Sequence, residues 1–437
     1  MSMNFKLLYG NSVSKNAPPA PSSSAVVRLK GAFNGQPASF GLGQDELSKH
    51  MLLMGGTGCG KTTLFYHFVD QIRKSMGGDD VMILFDSKGD FYSKFARPGD
   101  LVIGNSRQYA GKSALWNIYK EILADGWDDK AFMLNTQEIC KSFFEERTKN
   151  TTNAFFPNAA RDLLAAVITA IIRAGKQDGS QVKEVFFNNE LKALLDSCDA
   201  AKIAEILEGH ADLGAVLSYI EGEGSQSQGV LSELFSVMRE IFIGVFAEKG
   251  GFSMREFVRK KGNRTLFIEY DLSIGSMLTP VYRLLIDLAL KEALGRGKPQ
   301  GNVYLICDEF KLLPHLQHID DGVNFGRSLG VKVMAGIQSI EQLFEVYGKS
   351  RGMNIAAGFS SLFAFRANDV STREYVSGLF GKNIVLEQYQ ASDTKMLEEK
   401  RNGATVEDWD MNSLQVGEAI VGLPFARPFR FYFDMYK

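Results

Sequence analysis

Cysteine and histidine are scarce in this chain: four cysteines (Cys59, Cys140, Cys198, Cys307) and five histidines in 437 residues. No two cysteines form a C-x-x-C pair, and His315 and His318 lack acidic or cysteine partners at ligand spacing. A zinc site built from side chains is therefore not expected, and the thiols read as buried or bystander groups of a reducing compartment. Long apolar runs are also missing. None reaches the ~20 residues a bilayer requires. The longest, Leu163 to Ile172, is bounded by Asp162 and Arg173 and reads as a buried helix. No signal peptide opens the chain, because Asn4-Phe5-Lys6 leads into polar sequence. A soluble, cytoplasmic protein is the expectation. Charge of one sign is absent too. A net charge of −2 excludes a wholly basic nucleic-acid coat but leaves room for a locally basic channel. There is no internal repeat.

What is present is an ordinary globular composition, 45% hydrophobic and 23% charged, in a chain long enough for two or three domains. Residues 1–25 contain Ala17-Pro18-Pro19-Ala20-Pro21-Ser22-Ser23-Ser24 and read as a flexible leader. Val26 to Phe40 suits a small hairpin. The segment 26–119 reads as the first part of an α/β domain, with strands at Met51–Met54, Val81–Phe85 and Leu101–Ile103. Over 120–250 the strand runs stop and a 3.6-residue period takes over, as in Arg161 to Ile168, which predicts an inserted all-α domain. The α/β pattern resumes over 251–437, with strands at Thr265–Ile268, Val303–Cys307, Val331–Ile337 and Leu362–Phe365, and a closing pair at Ala419–Val421 and Phe429–Tyr432. Strands alternating with helices predict an α/β fold with a mostly parallel sheet covered on both faces.

The segment Gly55-Gly56-Thr57-Gly58-Cys59-Gly60-Lys61-Thr62 fits the P-loop pattern G-x-x-x-x-G-K-[ST], between an apolar strand and a helix opening at Thr63. Glycines let successive backbone N–H groups turn toward phosphate oxygens, and the helix N-terminus adds positive potential. Residues 55 to 63 are thus the candidate ATP-binding loop. Lys61 is expected at the β- and γ-phosphates and the Thr62 hydroxyl at Mg²⁺. Val303–Cys307 ends in Asp308-Glu309, a Walker B signature. Asp308 is the candidate second Mg²⁺ residue, and Glu309 the general base that polarises the attacking water. Asp86 also ends a strand but lacks an adjacent carboxylate. It reads either as a residue near phosphate or Mg²⁺ or as a turn capping a helix. Gln338, at the end of Val331–Ile337, can sense the γ-phosphate or cap a polar turn with Ser339. Arg327, on the helix before that strand, reads either as a charge finger reaching a neighbouring subunit's site or as a solvated arginine. The basic residues Arg255, Arg259, Lys260, Lys261 and Arg264 read as a solvated face, or as a phosphate contact within a ring. No N-K-x-D motif is present, which sets a small GTPase aside.

These motifs, in this order and spacing, resemble the TraD/TraG-like coupling ATPases of type IV secretion and conjugation, with their RecA-like core in the HerA/FtsK superfamily. The likeness runs from about Lys49 to the end of the chain. Phe85-Asp86-Ser87-Lys88-Gly89-Asp90-Phe91-Tyr92 is similar to the family's Asp-Pro-Lys-Gly-Glu-Leu-Tyr segment, and Trp116-Asn117-Ile118 to its Asn-Pro-Leu segment. Asp308-Glu309-Phe310, Gly326-Arg327-Ser328-x-Gly330, Ile337-Gln338-Ser339, Gln342-Leu343 and Tyr347-Gly348 follow the family in sequence. The resemblance implies a trans arginine finger at Arg327 and a γ-phosphate role for Gln338. It implies a homo-hexameric ring with the all-α domain at a DNA entrance, and sequence-tolerant DNA movement powered by ATP and Mg²⁺. It also implies a secretion channel, relaxosome or effector proteins as partners. Family members usually carry N-terminal transmembrane helices and a long acidic tail, and neither is in this sequence. The membrane is then reached only through a partner or a missing anchor, at the inner face of the cell membrane. Ser87 and Ile118 stand where the family usually has proline. Two other readings fit the motifs: a HerA/FtsK-like DNA pump in genome processing or defence, and a nucleotide-gated adaptor that recruits secreted effectors.

Overall fold

The computed structural model describes residues 4–177, 186–222, 224–295, 300–392 and 395–437. Its strands are β1 (Asn4–Tyr9), β2 (Val27–Phe33), β3 (Gln36–Leu42), β4 (Met51–Met54), β5 (Val81–Asp86), β6 (Leu101–Ile103) and β7 (Arg264–Glu269). They continue with β8 (Val303–Cys307), β9 (Val331–Ile337), β10 (Ser361–Phe365), β11 (Lys382–Ser392), β12 (Lys395–Ala404), β13 (Glu418–Gly422) and β14 (Phe429–Phe433). Eleven of them form one sheet in the order β3-β2-β14-β13-β10-β4-β9-β8-β5-β7-β6. From β10 to β6 every neighbouring pair is parallel. The four strands from β3 to β13 add on antiparallel.

The central strands are apolar on both faces because both faces are covered. β4, β5, β8 and β9 are buried along their whole length. Successive side chains alternate between two cores. Val81, Ile83, Phe85, Leu305 and Cys307 enter one core, and Met82, Leu84, Tyr304 and Ile306 the other. The second core is closed by the helix Lys61–Ser75 and by the β2–β3 hairpin, which turns at Asn34 and Gly35 with φ of 48° and 76°.

Between β6 and β7 the described residues hold helices and 3-10 turns and no strand. This helical run packs on the first face and shares its core. Ile168 and Leu234 belong to the same buried cluster as Phe85 of the sheet. The helix Phe155–Gln177 is long and apolar enough to cross a membrane by length and composition. Here Leu163, Leu164, Val167, Ile168 and Ile172 are buried against protein.

The junction between helices and sheet is tied by a buried carboxylate that the sequence reading did not single out. Glu121 is fully buried and accepts from Trp116 Nε1 (3.0 Å), Ser253 Oγ (2.9 Å), Arg255 N (3.2 Å) and Met254 N. Asn117 caps the short helix Ile118–Ile122 and donates to the Gly250 carbonyl (2.9 Å), so the Trp116-Asn117-Ile118 segment is part of the same knot.

Two sequence expectations need correction. The 1–25 leader begins with a strand: β1 pairs antiparallel with β11, and β11 with β12, as a separate three-stranded sheet. Its Phe, Leu and Tyr residues favour a pleated strand, but the partner is nearly the whole chain away. The β11–β12 hairpin was also not foreseen. Its charged residues hide strand character and are used across the ladder, as in Arg401 to Glu387 (2.7 Å).

Candidate active site

Four parallel strands deliver the candidate residues to one edge of the sheet. β4 runs into Gly55, β9 into Gln338, β8 into Asp308 and Glu309, and β5 ends at Asp86. Because β4, β9, β8 and β5 are neighbours in that order, motifs far apart in sequence meet at the crevice beyond the strand C-termini.

The glycine loop passes through positive φ at Gly55 (150°), Gly58 (75°) and Gly60 (112°), and the helix Lys61–Ser75 opens directly after it. The loop is pinned from both sides. Gly56 N donates to the Arg366 carbonyl (2.9 Å), and Gly417 N donates to the Cys59 carbonyl (2.9 Å). Lys61 is buried, and its ammonium donates to the carbonyls of Gly55 and Gly56 (3.2 Å for the latter). Gly56 to Thr63 line a cleft of about 360 Å³, and Gly55 is not part of that lining. Lys88, Asp308, Glu309 and Gln338 line the same cleft.

Asp308 is 4% exposed. Among the described residues its carboxylate oxygens accept two long hydroxyl contacts, from Thr62 Oγ1 (3.4 Å) and Ser87 Oγ (3.4 Å). Burial pushes its pKa up to about 6. Asp86 and Glu309 add to that rise, while Lys88 and Lys61 oppose it. Glu309 accepts from Gln338 Nε2 at Oε2 (2.9 Å), and its Oε1 is buried without a hydrogen-bond partner. Gln338 Oε1 in turn accepts from Thr57 Oγ1 (3.3 Å), joining the P-loop, the second-carboxylate strand and β9 in one relay. A buried, under-coordinated carboxylate beside a hydroxyl, and a second carboxylate with an orphan oxygen, fit a divalent cation and a water-activating base.

Asp86 takes the turn-capping role. Its carboxylate is buried and accepts from the amides of Lys88 (3.1 Å), Gly89 (2.8 Å) and Phe91 (2.9 Å). The Ser339 hydroxyl accepts from Glu341 N (3.2 Å) in the turn before the helix Glu341–Tyr347, while the Gln338 side chain faces Glu309. Arg327 is not brought to this cluster. It lies in the 3-10 turn Gly326–Leu329 at the start of β9, with Gln338 at the other end, roughly 20 Å of strand away. Its guanidinium pairs with Asp45 (2.8 Å), and both side chains are more than half exposed.

The basic cluster is largely spent on internal partners. Arg255 and Arg259 both reach Asp125 (2.6 Å each) and Glu292 (3.3 and 2.8 Å). Lys260 pairs with Glu256 (2.9 Å), and the Arg264 guanidinium lies over the Phe257 ring (5.1 Å). The sequence reading missed one wall of the cleft, made by Val416, Gly417, Phe433 and Met435. Gly417, just before β13, was the only signal.

Residues 37–416 match the model of the type IV secretion-system coupling protein DNA-binding domain. The chain belongs to this family. Among curated proteins it is similar to the coupling protein TraD of Escherichia coli (strain K12), with 20% identity over 358 residues, covering 79% of this chain and 46% of that protein. The conjugal transfer protein TraG of Rhizobium radiobacter is 25% identical over 260 residues, covering 55% of this chain and 38% of that one. The chain thus spans less than half the length of these relatives. Among solved structures, the bacterial conjugative coupling protein TrwBdeltaN70 with sulphate superposes with a TM-score of 0.73 at 22% identity, over 99% of this chain and 95% of that one. TrwB with ADP and Mg²⁺ gives 0.69 at 21% identity, over 94% and 89%. The RecA-like P-loop fold expected from the motifs is therefore the fold of this chain.

Proposed function

We infer that this chain is the motor portion of a conjugative coupling protein, an ATPase that hydrolyses Mg-ATP to move DNA toward a type IV secretion channel. The observation that carries the reading is the convergence of Lys61, Thr62, Asp308, Glu309 and Gln338 on one cleft, in a chain of the coupling-protein family. TrwB, solved in complex with ADP and Mg²⁺ and with a non-hydrolysable ATP analogue, supports nucleotide binding by this chain.

Each residue has a task in this reading. The loop amides and the helix N-terminus hold the phosphates, and Lys61 exchanges its loop carbonyls for phosphate oxygens. Thr62 and Asp308 are the residues that would hold Mg²⁺, which supplies charge neutralisation at the phosphates. Glu309 accepts the proton of the attacking water through its unpartnered oxygen. Gln338, bonded to Glu309 and Thr57, orients the base and senses the terminal phosphate. Arg327 lies too far from its own cleft to serve it, which favours service to a neighbour's cleft in a head-to-tail ring such as a homo-hexamer. DNA contacts would be electrostatic and sequence-tolerant. The site of work is the cytoplasmic side of the cell membrane.

The test is ATP turnover with and without DNA, on wild type and Glu309→Gln, with particle mass measured alongside. DNA-stimulated turnover that is lost in the variant and accompanied by assembly is the expected result. Turnover indifferent to every DNA tested would overturn the motor reading and favour an effector-recruiting adaptor.

A further inference from the structure

The cleft holds a second lysine. Lys88 enters from β5, on the far side of the Asp308 strand from the P-loop strand. Its position is fixed by unusual means for an exposed residue. The buried Asp86 carboxylate takes three backbone amides of the turn, including that of Lys88 itself. Gly89 follows at a φ of 74°, a left-handed value that suits glycine and sharpens the turn. The preceding Ser87 hydroxyl touches the Asp308 carboxylate (3.4 Å), so the turn is registered directly on the candidate Mg²⁺ residue.

The side chain at the end of this clamp is exposed, and no hydrogen bond or ion pair engages its ammonium among the described residues. Lys61, by contrast, is committed to two loop carbonyls. A surface lysine serving only solubility does not need a turn held by a buried carboxylate. A cation with no hydrogen bond or ion pair among the described residues, in a cleft whose loop is built to hold anions, has phosphate as a natural partner.

We propose that Lys88 is a second phosphate-binding lysine of this site, donating to the terminal phosphate of ATP from the Asp308 side. It would let the cleft tell triphosphate from diphosphate with its own subunit's residues, before any neighbour contributes an arginine. The proposal rests on the ATP reading above.

The experiment uses the full chain with Lys88→Met and Lys88→Arg, Mg²⁺ present, and binding measured for ADP and for a non-hydrolysable ATP analogue. In Lys88→Met the analogue should weaken on the order of tenfold or more, the loss of one charged hydrogen bond, while ADP stays within about twofold. Lys88→Arg should recover part of the difference, and thermal unfolding should match wild type. Equal weakening of ADP and analogue would overturn the proposal, because it would mean that Lys88 acts only through Asp308 and Mg²⁺. Unchanged binding of both would overturn it as well. Wild type that binds neither nucleotide would instead sink the ATP reading itself, so the two failures are distinct.

Discussion

Asp308 and Glu121 are the same chemistry put to opposite ends. Both are buried carboxylates whose pKa burial pushes up. Glu121 is surrounded by donors: an indole, a hydroxyl and two amides. Asp308 has two hydroxyls at 3.4 Å, and its charged surroundings are mixed, with Lys88 and Lys61 opposing Asp86 and Glu309. A satisfied buried charge is a structural tie, whereas an under-satisfied one is held ready for something else. The difference lies in the count of donors within reach, not in burial. It separates the knot that joins the helices to the sheet from the cleft at the sheet's edge.

The comparison breaks most visibly at the cleft. Glu309→Gln should lower turnover by about 10²–10⁴-fold, the usual range for losing a general base. The protein should still fold and bind nucleotide, because the Gln338 contact can be kept by an amide. A variant with near-wild-type turnover would mean that another group activates the water. At the knot the effect moves from rate to stability. Glu121→Ala leaves an indole N–H and two backbone amides buried without an acceptor and should cost about 3 kcal/mol or more in denaturant unfolding. Nucleotide affinity of the remaining folded protein should hold. A loss below ~1 kcal/mol would mean that water reaches the knot and replaces the carboxylate.

How much of this contrast was legible beforehand follows from the range of the signals. The P-loop, the Asp308-Glu309 pair and the central strands are local patterns, and they were readable because continuous apolar runs and fixed glycine spacings do not depend on partners. Gln338 was readable only as a strand-end residue. Its bond to Glu309 depends on β9 lying beside β8, which spacing does not reveal. Glu121 looked like any helical glutamate, since its donors come from residues 116 and 253–255. β1 and the Val416–Met435 wall were hidden for the same reason: each acquires its role from a partner distant in sequence. The basic cluster misled in the other direction, because a run of cations says nothing of Asp125 and Glu292 waiting opposite.

Asp308 sharpens the comparison through pH. Its folded pKa of about 6 lies above the ordinary carboxylate value, so the neutral form is favoured in the fold. Stability from that preference is full below pH ~4 and lost as pH rises toward ~6. Asp308→Asn, which cannot ionise, should therefore match wild type near pH 4. Above pH 6, in chelator, it should be more stable by ~1–3 kcal/mol. Adding Mg²⁺ should stabilise wild type and leave the variant unmoved. Unfolding curves at pH 4 to 7 with chelator and with Mg²⁺ measure both effects. A variant less stable than wild type at pH 7 without metal would mean that Asp308 is a tie like Glu121.

The smallest expected effect on the fold is at Arg327. Its pair with Asp45 is exposed on both sides, so Arg327→Ala should change stability by no more than about 0.5 kcal/mol. Its proposed service to a neighbouring cleft makes a sharper demand. In an assembled ring, Arg327→Ala alone and Glu309→Gln alone should each be inactive. Mixed subunits should regain activity, because an Arg327→Ala subunit keeps its own Glu309 and can receive an arginine from its Glu309→Gln neighbour. With equal, random mixing about a quarter of the interfaces are whole, which sets the expected turnover relative to wild type. A mixture as dead as its parts would mean that Arg327 acts within its own subunit or not at all. The roughly 20 Å of strand between Arg327 and Gln338 stands against the first of these.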